Sequence, residues 1–381
     1  RRREPLGAVR GHGEHQRERG AALLLHQLFA RDVDLLHARQ GLLLGSNGLG
    51  QRAALTDPLE DAIGSLFRFL RAFGELPSVD NLVTNLLERR GRRPGDFGGF
   101  EKGKGFAGAD FVIEAVFEEM GVKKTVFADV EKVVSAECVL ATNTSSLSIT
   151  EMAADLEHPE RVVGFHFFNP VAVMPLLEIV QGEKTDDATL ATAFGTGKAL
   201  KKTTILVQDS PSFIVNRLLG RFMSEVSRIL DEGTPIDVVD GAFAGVAPMP
   251  PFTLIALVGP AIALHNTETL AAAFPDRFYV SPALERVVAA KKGAYFGPDG
   301  SLDPEVEALL EKPAEPKVLA KDEVRRTVLT GLAQEARLML DEGVVAAAED
   351  LDLAMITGAG FAFWNGGLTM LLEREGLGSF H

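Results

Sequence analysis

The chain has 381 residues, is 46% hydrophobic and carries a formal net charge of -14, long enough for two or three domains around a substantial buried core. That acidity excludes a nucleic-acid footprint, which needs clustered Lys and Arg against phosphates, and no charge-free run of about 18 apolar residues marks a membrane span. The one cysteine, Cys138, rules out an intrachain disulfide and points to a reducing compartment, the cytoplasm.

Residues 1–100 differ in kind from the rest. They hold 15 Arg and no Lys against 12 acidic residues, whereas residues 101–381 hold 14 Lys and 10 Arg against 41 acidic residues. Val, Ile and Thr number only seven there (Val9, Val33, Thr56, Ile63, Val79, Val83 and Thr84), too few for a buried parallel sheet. The Leu-rich pieces at residues 21–25 and 66–70 show no sustained period of 3.6. An Arg-rich start suggests targeting, but Glu4, Glu14 and Glu18 are wrong for a transit peptide. The segment therefore reads as atypical, either disordered or translated from a wrong frame.

From Gly105 the texture becomes α/β. Phe111-Val112-Ile113-Glu114-Ala115-Val116 reads as a buried strand, followed by Val122, Val126, Val130 and Val133 at helical spacing with Lys123, Lys124, Asp129 and Lys132 outside. The next strand is expected over residues 138–142, where Cys138 reads as a small core hydrophobe. Turn chemistry at Asn143-Thr144-Ser145-Ser146 opens a short helix near residues 148–154, and Val162-Val163-Gly164-Phe165 gives a third strand. Further strands fall at 175–180 and 203–207 with a helix near 186–202 between them, so the alternation predicts a mostly parallel, Rossmann-like sheet.

After Asp209-Ser210-Pro211 the pattern turns helical to the end. Ile214, Leu218, Phe222, Val226 and Leu230 recur at steps of four, and the stripe closes at Asp231-Glu232-Gly233. Leu340-Asp341-Glu342-Gly343 repeats Leu230-Asp231-Glu232-Gly233 at an offset of 110, and Glu335 repeats Glu225, suggesting tandem helical units joined by the Pro-rich stretch 298–321. The expected organisation is an atypical segment 1–100, an α/β domain 101–208, a first helical domain 209–305 and a second helical repeat 306–381.

Two local patterns carry chemistry. In Gly164-Phe165-His166-Phe167-Phe168-Asn169-Pro170 a histidine ends an apolar strand, and Glu178 follows on the next apolar run. A histidine titrates near neutral pH, and a carboxylate beside it fixes its tautomer and stabilises the imidazolium, the layout of a general base with its orienting acid. A core histidine beside a solvated glutamate has the same local pattern. Asn143-Thr144-Ser145-Ser146 follows the carboxyl end of a strand, where open α/β sheets bind ligands, and it equally suits plain helix capping. Asn216, one turn into the first long helix, reads either as a reach into the same crevice or as an exposed helix asparagine.

Together Val112-Ile113-Glu114-Ala115-Val116, Asn143-Thr144-Ser145-Ser146, His166-Phe167-Phe168-Asn169-Pro170, Glu178 and Phe213-Ile214-Val215-Asn216-Arg217 resemble the 3-hydroxyacyl-CoA dehydrogenase family over residues 105–232. The doubled helical tail, with Gly358-Ala359-Gly360-Phe361 and Gly366-Gly367, looks like the dehydrogenase portion of multifunctional fatty-acid oxidation complex α-subunits. The resemblance implies NAD-dependent oxidation of (S)-3-hydroxyacyl-CoA in fatty-acid β-oxidation, in a truncated or N-terminally altered form. His166 would be the base and Glu178 its orienting acid, with Ser145 and Asn216 as catalytic and substrate-binding groups. Glu118, Lys123, Asn143, Ser145 and Asn169 would bind NAD, and no metal is implied. Implied partners are an acyl-CoA substrate and either a second copy or the thiolase subunit of an oxidation complex. The alternatives are a catalytically weak helical assembly subunit and a short-chain 3-hydroxybutyryl-CoA dehydrogenase working reductively.

One departure stands out. The family opens its nucleotide domain with a strand, a G-x-G-x-x-G turn and a helix, and the nearest approach here is Gly48-Leu49-Gly50-Gln51-Arg52-Ala53. It has no β-branched strand before it and no acid about 20 residues on, so it is a weak candidate for a pyrophosphate cradle.

Overall fold

The computed structural model describes residues 109–381 apart from Pro248, Pro298 and Lys312. The segment 1–100, with its glycine-rich stretch, lies outside the described residues. Short β-branched runs form five strands: β1 (Phe111–Glu114), β2 (Val139–Thr142), β3 (Val162–Phe167), β4 (Leu176–Gln181) and β5 (Thr203–Gln208). They make one sheet in the order β1-β2-β3-β4-β5. β1, β2 and β3 are parallel, β4 is antiparallel to β3, and β5 is parallel to β4. The expectation of a mostly parallel sheet followed by helices holds, and the one antiparallel pair proves decisive for the site.

Three helices accompany the sheet: α1 (Met120–Glu131), α2 (Ile149–Ala153) and α3 (Asp187–Ala199). Each begins at a side-chain cap, with Glu119 accepting from the Gly121 and Val122 amides, Ser148 from Glu151 and Asp186 from Thr189. The expected capping role of residues 143–146 is thus corrected. Ser148 starts α2, and Asp209 holds the same end through Ser148 Oγ (2.7 Å), the Ile149 amide (3.0 Å) and the Thr150 amide (2.8 Å).

The face of α1 is a second correction. The stripe read from Val122, Val126, Val130 and Val133 left Lys123 outside, yet α1 buries Lys123, Phe127 and Val130 while Val122 is 38% exposed. The cause is electrostatic. The Glu114 carboxylate at the end of β1 accepts from Lys123 Nζ at 2.9 and 3.0 Å, which turns the ammonium inward.

The helical part comprises α4 (Val215–Asp231), α5 (Ile236–Gly241), α6 (Pro251–Val258), α7 (Pro260–Ala273), α8 (Pro282–Ala289), α9 (Pro304–Glu307), α10 (Lys321–Asp341), α11 (Ala348–Ala359) and α12 (Leu368–Arg374). All five positions of the expected stripe are buried, Ile214 as the N-cap of α4 and the other four on the helix, but so are Arg217, Arg221 and Glu225, because α4 is the central helix and α10 packs along it. The two long helices end alike. Gly233 and Gly343 both take positive φ (109° and 70°), where a side chain would be strained. The following amides of Thr234 and Val344 reach back to Ile229 O and Met339 O.

The chain entering each long helix bonds to the chain leaving the other. Gln208 N donates to Val344 O at 2.9 Å, and Lys317 N donates to Glu232 O at 2.8 Å. Gly358, at the end of α11, abuts Leu176 of β4 and Val215 of α4 so closely that a Cβ would lie 2.4 Å from Leu176 Cδ2. No single helix among the described residues is long and apolar enough to cross a membrane; α6 and α7 meet the length and composition test only as a pair bent by 97°.

Candidate active site

β3 and β4 set the central geometry. In their antiparallel register His166 lies directly opposite Glu178, and directly opposed residues of such a pair project to the same face with Cβ atoms about 5 Å apart. His166 Nδ1 and Glu178 Oε2 are 2.7 Å apart, and both side chains are almost wholly buried. The second carboxylate oxygen accepts from the amides of Ile214 (3.3 Å) and Val215 (3.1 Å) at the start of α4. Helix N-terminal amides carry partial positive charge, so they hold the carboxylate in place. Phe168 and Phe213 pack on the imidazole with ring centroids at 4.5 and 5.7 Å.

The backbone entering α4 is bent sharply to present those amides. Ser212 and Phe213 both take left-handed φ values (62° and 53°), and Ser212 is fully buried with no partner for its hydroxyl. Non-glycine residues adopt this conformation at a cost of about 1 kcal/mol or more. Replacing Ser212 with Gly is therefore expected to stabilise the fold by about 1 kcal/mol. The check is urea unfolding; an unchanged or lower midpoint would discount the strain.

A second cluster forms at the carboxyl ends of β1 and β2. Glu118 Oε1 accepts from Thr144 Oγ1 (2.7 Å), the Ser145 amide (2.8 Å), Ser145 Oγ (3.1 Å), the Ser146 amide (3.2 Å) and Ser146 Oγ (3.3 Å). Lys123 Nζ lies 3.4 Å from Glu118 Oε2 and is otherwise sealed against Glu114, which also accepts from Thr142 Oγ1. Burial pushes the Glu118 carboxyl up, but the Thr144 hydroxyl, the Lys123 ammonium and the Ser145 donors together hold it below its ordinary value of 4.5.

A carboxylate with a depressed pKa adds stability that is present above its unfolded value and lost as pH falls through the folded one. Glu118 should thus contribute above about pH 4.5 and cease to do so as the solution is acidified below it. We expect Glu118→Gln to flatten the acid limb of a plot of unfolding midpoint against pH. An unchanged limb would mean the contacts are not made in solution.

The structure brings His166, Glu178, Ser145 and Asn216 to one end of the sheet, with Asn216 Nδ2 donating to Ser145 O at 3.4 Å. Asn143 links strands, its Oδ1 accepting from the Phe167 amide at 3.0 Å. Asn169 is exposed in the turn after β3. Lys123 is 1% exposed and faces Glu114 and Glu118 rather than the cleft, so it reaches a ligand only through those carboxylates. Sequence reading missed the Ile214 and Val215 amides and the aromatic packing on His166. Only the break at Asp209-Ser210-Pro211, just before the turn, hinted at them.

Residues 98–210 match the model of the 3-hydroxyacyl-CoA dehydrogenase NAD binding domain, and residues 213–295 match that of the 3-hydroxyacyl-CoA dehydrogenase C-terminal domain. The chain belongs to the 3-hydroxyacyl-CoA dehydrogenase family. It is 32% identical over 334 residues to the fatty acid oxidation complex subunit alpha of Acinetobacter baumannii, covering 80% of this chain and 46% of that protein. It thus spans about half the length of the curated relatives it matches.

Among solved structures, the (S)-3-hydroxybutyryl-CoA dehydrogenase of Ralstonia eutropha is 30% identical with a TM-score of 0.52, over 65% of this chain and 85% of that one. The 3-hydroxybutyryl-CoA dehydrogenase of Escherichia coli shares the fold, with a TM-score of 0.61 at 24% identity over 85% of this chain and 88% of that one. The match to an NAD binding domain implies a dinucleotide site. The Ser145 and Ser146 donors are spent on Glu118 Oε1, and the partly exposed Glu118 carboxylate is left as an acceptor for hydroxyl and amide donors of NAD, so that end fits. Among the described residues no glycine-rich turn presents amides to a pyrophosphate. No group of three or more His, Cys, Asp or Glu among them could hold a metal ion.

Proposed function

We propose that the chain oxidises (S)-3-hydroxyacyl-CoA thioesters to 3-oxoacyl-CoA with NAD, as part of fatty-acid β-oxidation. The observation that carries this is the buried His166–Glu178 pair at 2.7 Å, backed by two helix N-terminal amides on the far carboxylate oxygen. Glu178 accepts a hydrogen bond from Nδ1–H, which leaves Nε2 as the basic nitrogen that accepts the substrate's 3-hydroxyl proton. As positive charge develops on the ring, Glu178 stabilises it, and the Ile214 and Val215 amides keep the carboxylate from swinging away.

Ser145 and Asn216 hydrogen-bond the substrate near its reacting oxygen and thioester. Phe168 and Phe213 exclude water from the imidazole. Glu118, Asn143, Ser145 and Asn169 hold the redox end of NAD, with Lys123 fixing Glu118. When bound, NAD supplies the acceptor for the hydride that leaves C3. The test is NADH formation at 340 nm from 3-hydroxybutyryl-CoA. No signal above that of His166→Ala would remove this reading.

The same reading places the chain in the cytoplasm, consistent with a lone buried cysteine, and gives it an acyl-CoA substrate and either a second copy or a thiolase subunit as partner. It also treats residues 209–305 and 306–381 as tandem copies, supported by the matched Gly233 and Gly343 helix ends and the reciprocal bonds of Gln208 and Lys317. Deleting residues 323–381 should uncover the buried face of α4 and cause aggregation. A soluble, monodisperse product by size-exclusion chromatography would count against the tandem architecture.

A further inference from the structure

The start of α4 joins three jobs in four residues. The Ile214 and Val215 amides hold Glu178, Asn216 reaches the Ser145 turn, and Arg217 is wholly buried with its guanidinium turned to α10. Arg217 Nε donates to Glu335 Oε1 and Nη2 to Glu342 Oε2, both at 2.7 Å, while Nη1 reaches Ser210 Oγ at 2.9 Å. Arg277 completes the cluster. Its Nη2 donates to Glu342 Oε1 at 2.6 Å, its Nη1 lies 3.6 Å from Glu335 Oε1, and both guanidiniums contact the Phe274 ring at 4.5 and 4.7 Å. Glu335 is fully buried, and its Oε2 has no hydrogen-bond partner.

A planar guanidinium held at three corners cannot rotate or slide, so the residue bearing it is fixed in register. We infer that Glu335 of α10 and Glu342 at its C-terminal cap are positioning residues for the reaction, acting through Arg217 to lock the first turn of α4 against the His166–Glu178 pair and the Ser145 turn. The second helical unit then serves the chemistry through Arg217, which Glu335 grips from 118 residues along the chain. Two acids stand against two arginines in the cluster, and Glu335 meets Arg217 with only one oxygen, its other oxygen having no hydrogen-bond partner.

The inference rests on the dehydrogenase reading for its kinetic half and on geometry alone for its structural half, and the experiment separates the two. Glu335→Gln and the more exposed Glu342→Gln are compared with the unsubstituted chain by amide hydrogen exchange and by turnover of 3-hydroxybutyryl-CoA. Exchange in the peptide spanning residues 211–218 should accelerate at least tenfold in either variant, while that in β1 and α1 stays unchanged. Turnover should fall about tenfold with KM for NAD unaltered, since misplacement at this end harms the reacting geometry rather than dinucleotide binding.

The effect should also be non-additive. If Glu335 acts through the α4 terminus, the double variant Asn216→Ala with Glu335→Gln should lose clearly less turnover than the product of the two single losses. Unchanged exchange at residues 211–218 in both variants, or losses that multiply in the double variant, would overturn the inference. A chain that makes no NADH would remove the dehydrogenase reading, and the exchange result would still decide whether α10 locks the α4 terminus. Glu342→Gln, at the half-exposed rim of the cluster, keeps the test available if Glu335→Gln does not fold.

Discussion

Substituting His166 with Gln should lower kcat/KM for 3-hydroxybutyryl-CoA by about 10²- to 10⁴-fold, the span that a positioned general base contributes. The imidazole is 5% exposed and sits between Phe168 and Phe213, so bulk water cannot readily replace it as proton acceptor. Gln preserves polarity and most of the volume, which keeps the neighbouring rings packed. Glu178→Gln should have a smaller effect in the same direction, because the base remains while its orienting charge is lost. Steady-state rates at 340 nm, normalised to folded protein by circular dichroism, give the answer. A His166 variant within tenfold of the unsubstituted chain would mean that another group takes the proton.

Lys123→Met should destabilise the fold by about 3–5 kcal/mol, the usual result of removing one member of a buried ion pair and stranding the other. Glu114 is 4% exposed, and losing its ammonium leaves it the Thr142 Oγ1 and Val116 amide donors, neither of them charged. The urea midpoint should drop with the slope unchanged. Adding Glu114→Gln to that variant should recover more than half of the loss, since the stranded charge is then gone. A loss below about 1 kcal/mol for Lys123→Met would show that Lys123 does not neutralise Glu114 in solution. The same variant should loosen Glu118 from the Ser145 turn, because Lys123 Nζ also stands 3.4 Å from Glu118 Oε2.

The two expectations bear on different layers of the molecule. His166 sits where an antiparallel pair interrupts an otherwise parallel sheet, and the interruption creates a face on which a base and an acid meet directly. Lys123 sits in the first turn of α1, where its ammonium bonds the Glu114 carboxylate and lies 3.4 Å from Glu118 Oε2. Both devices lie at the carboxyl ends of β1, β2 and β3. The start of α4 packs beside them, with Glu178 held by its amides and Arg217 gripped by α10.

Strand and helix placement was legible in the chain itself. Phe111-Val112-Ile113, Val139-Leu140-Ala141 and Val162-Val163 are β-branched or apolar runs that have few other stable fates, and the step of four from Ile214 to Leu230 can only be a helix. His166 and Glu178 could be picked out because each lies on an apolar run where a polar residue needs a reason. These are local signals, and the period of a chain segment does not depend on its surroundings. The tertiary structure alone decided which groups meet. Strand register put His166 opposite Glu178, the Glu114 carboxylate turned Lys123 inward against the reading of its own helix, and α10 reached back to Arg217. Such contacts depend on register, burial and charge compensation between segments distant in sequence, and no local pattern encodes them.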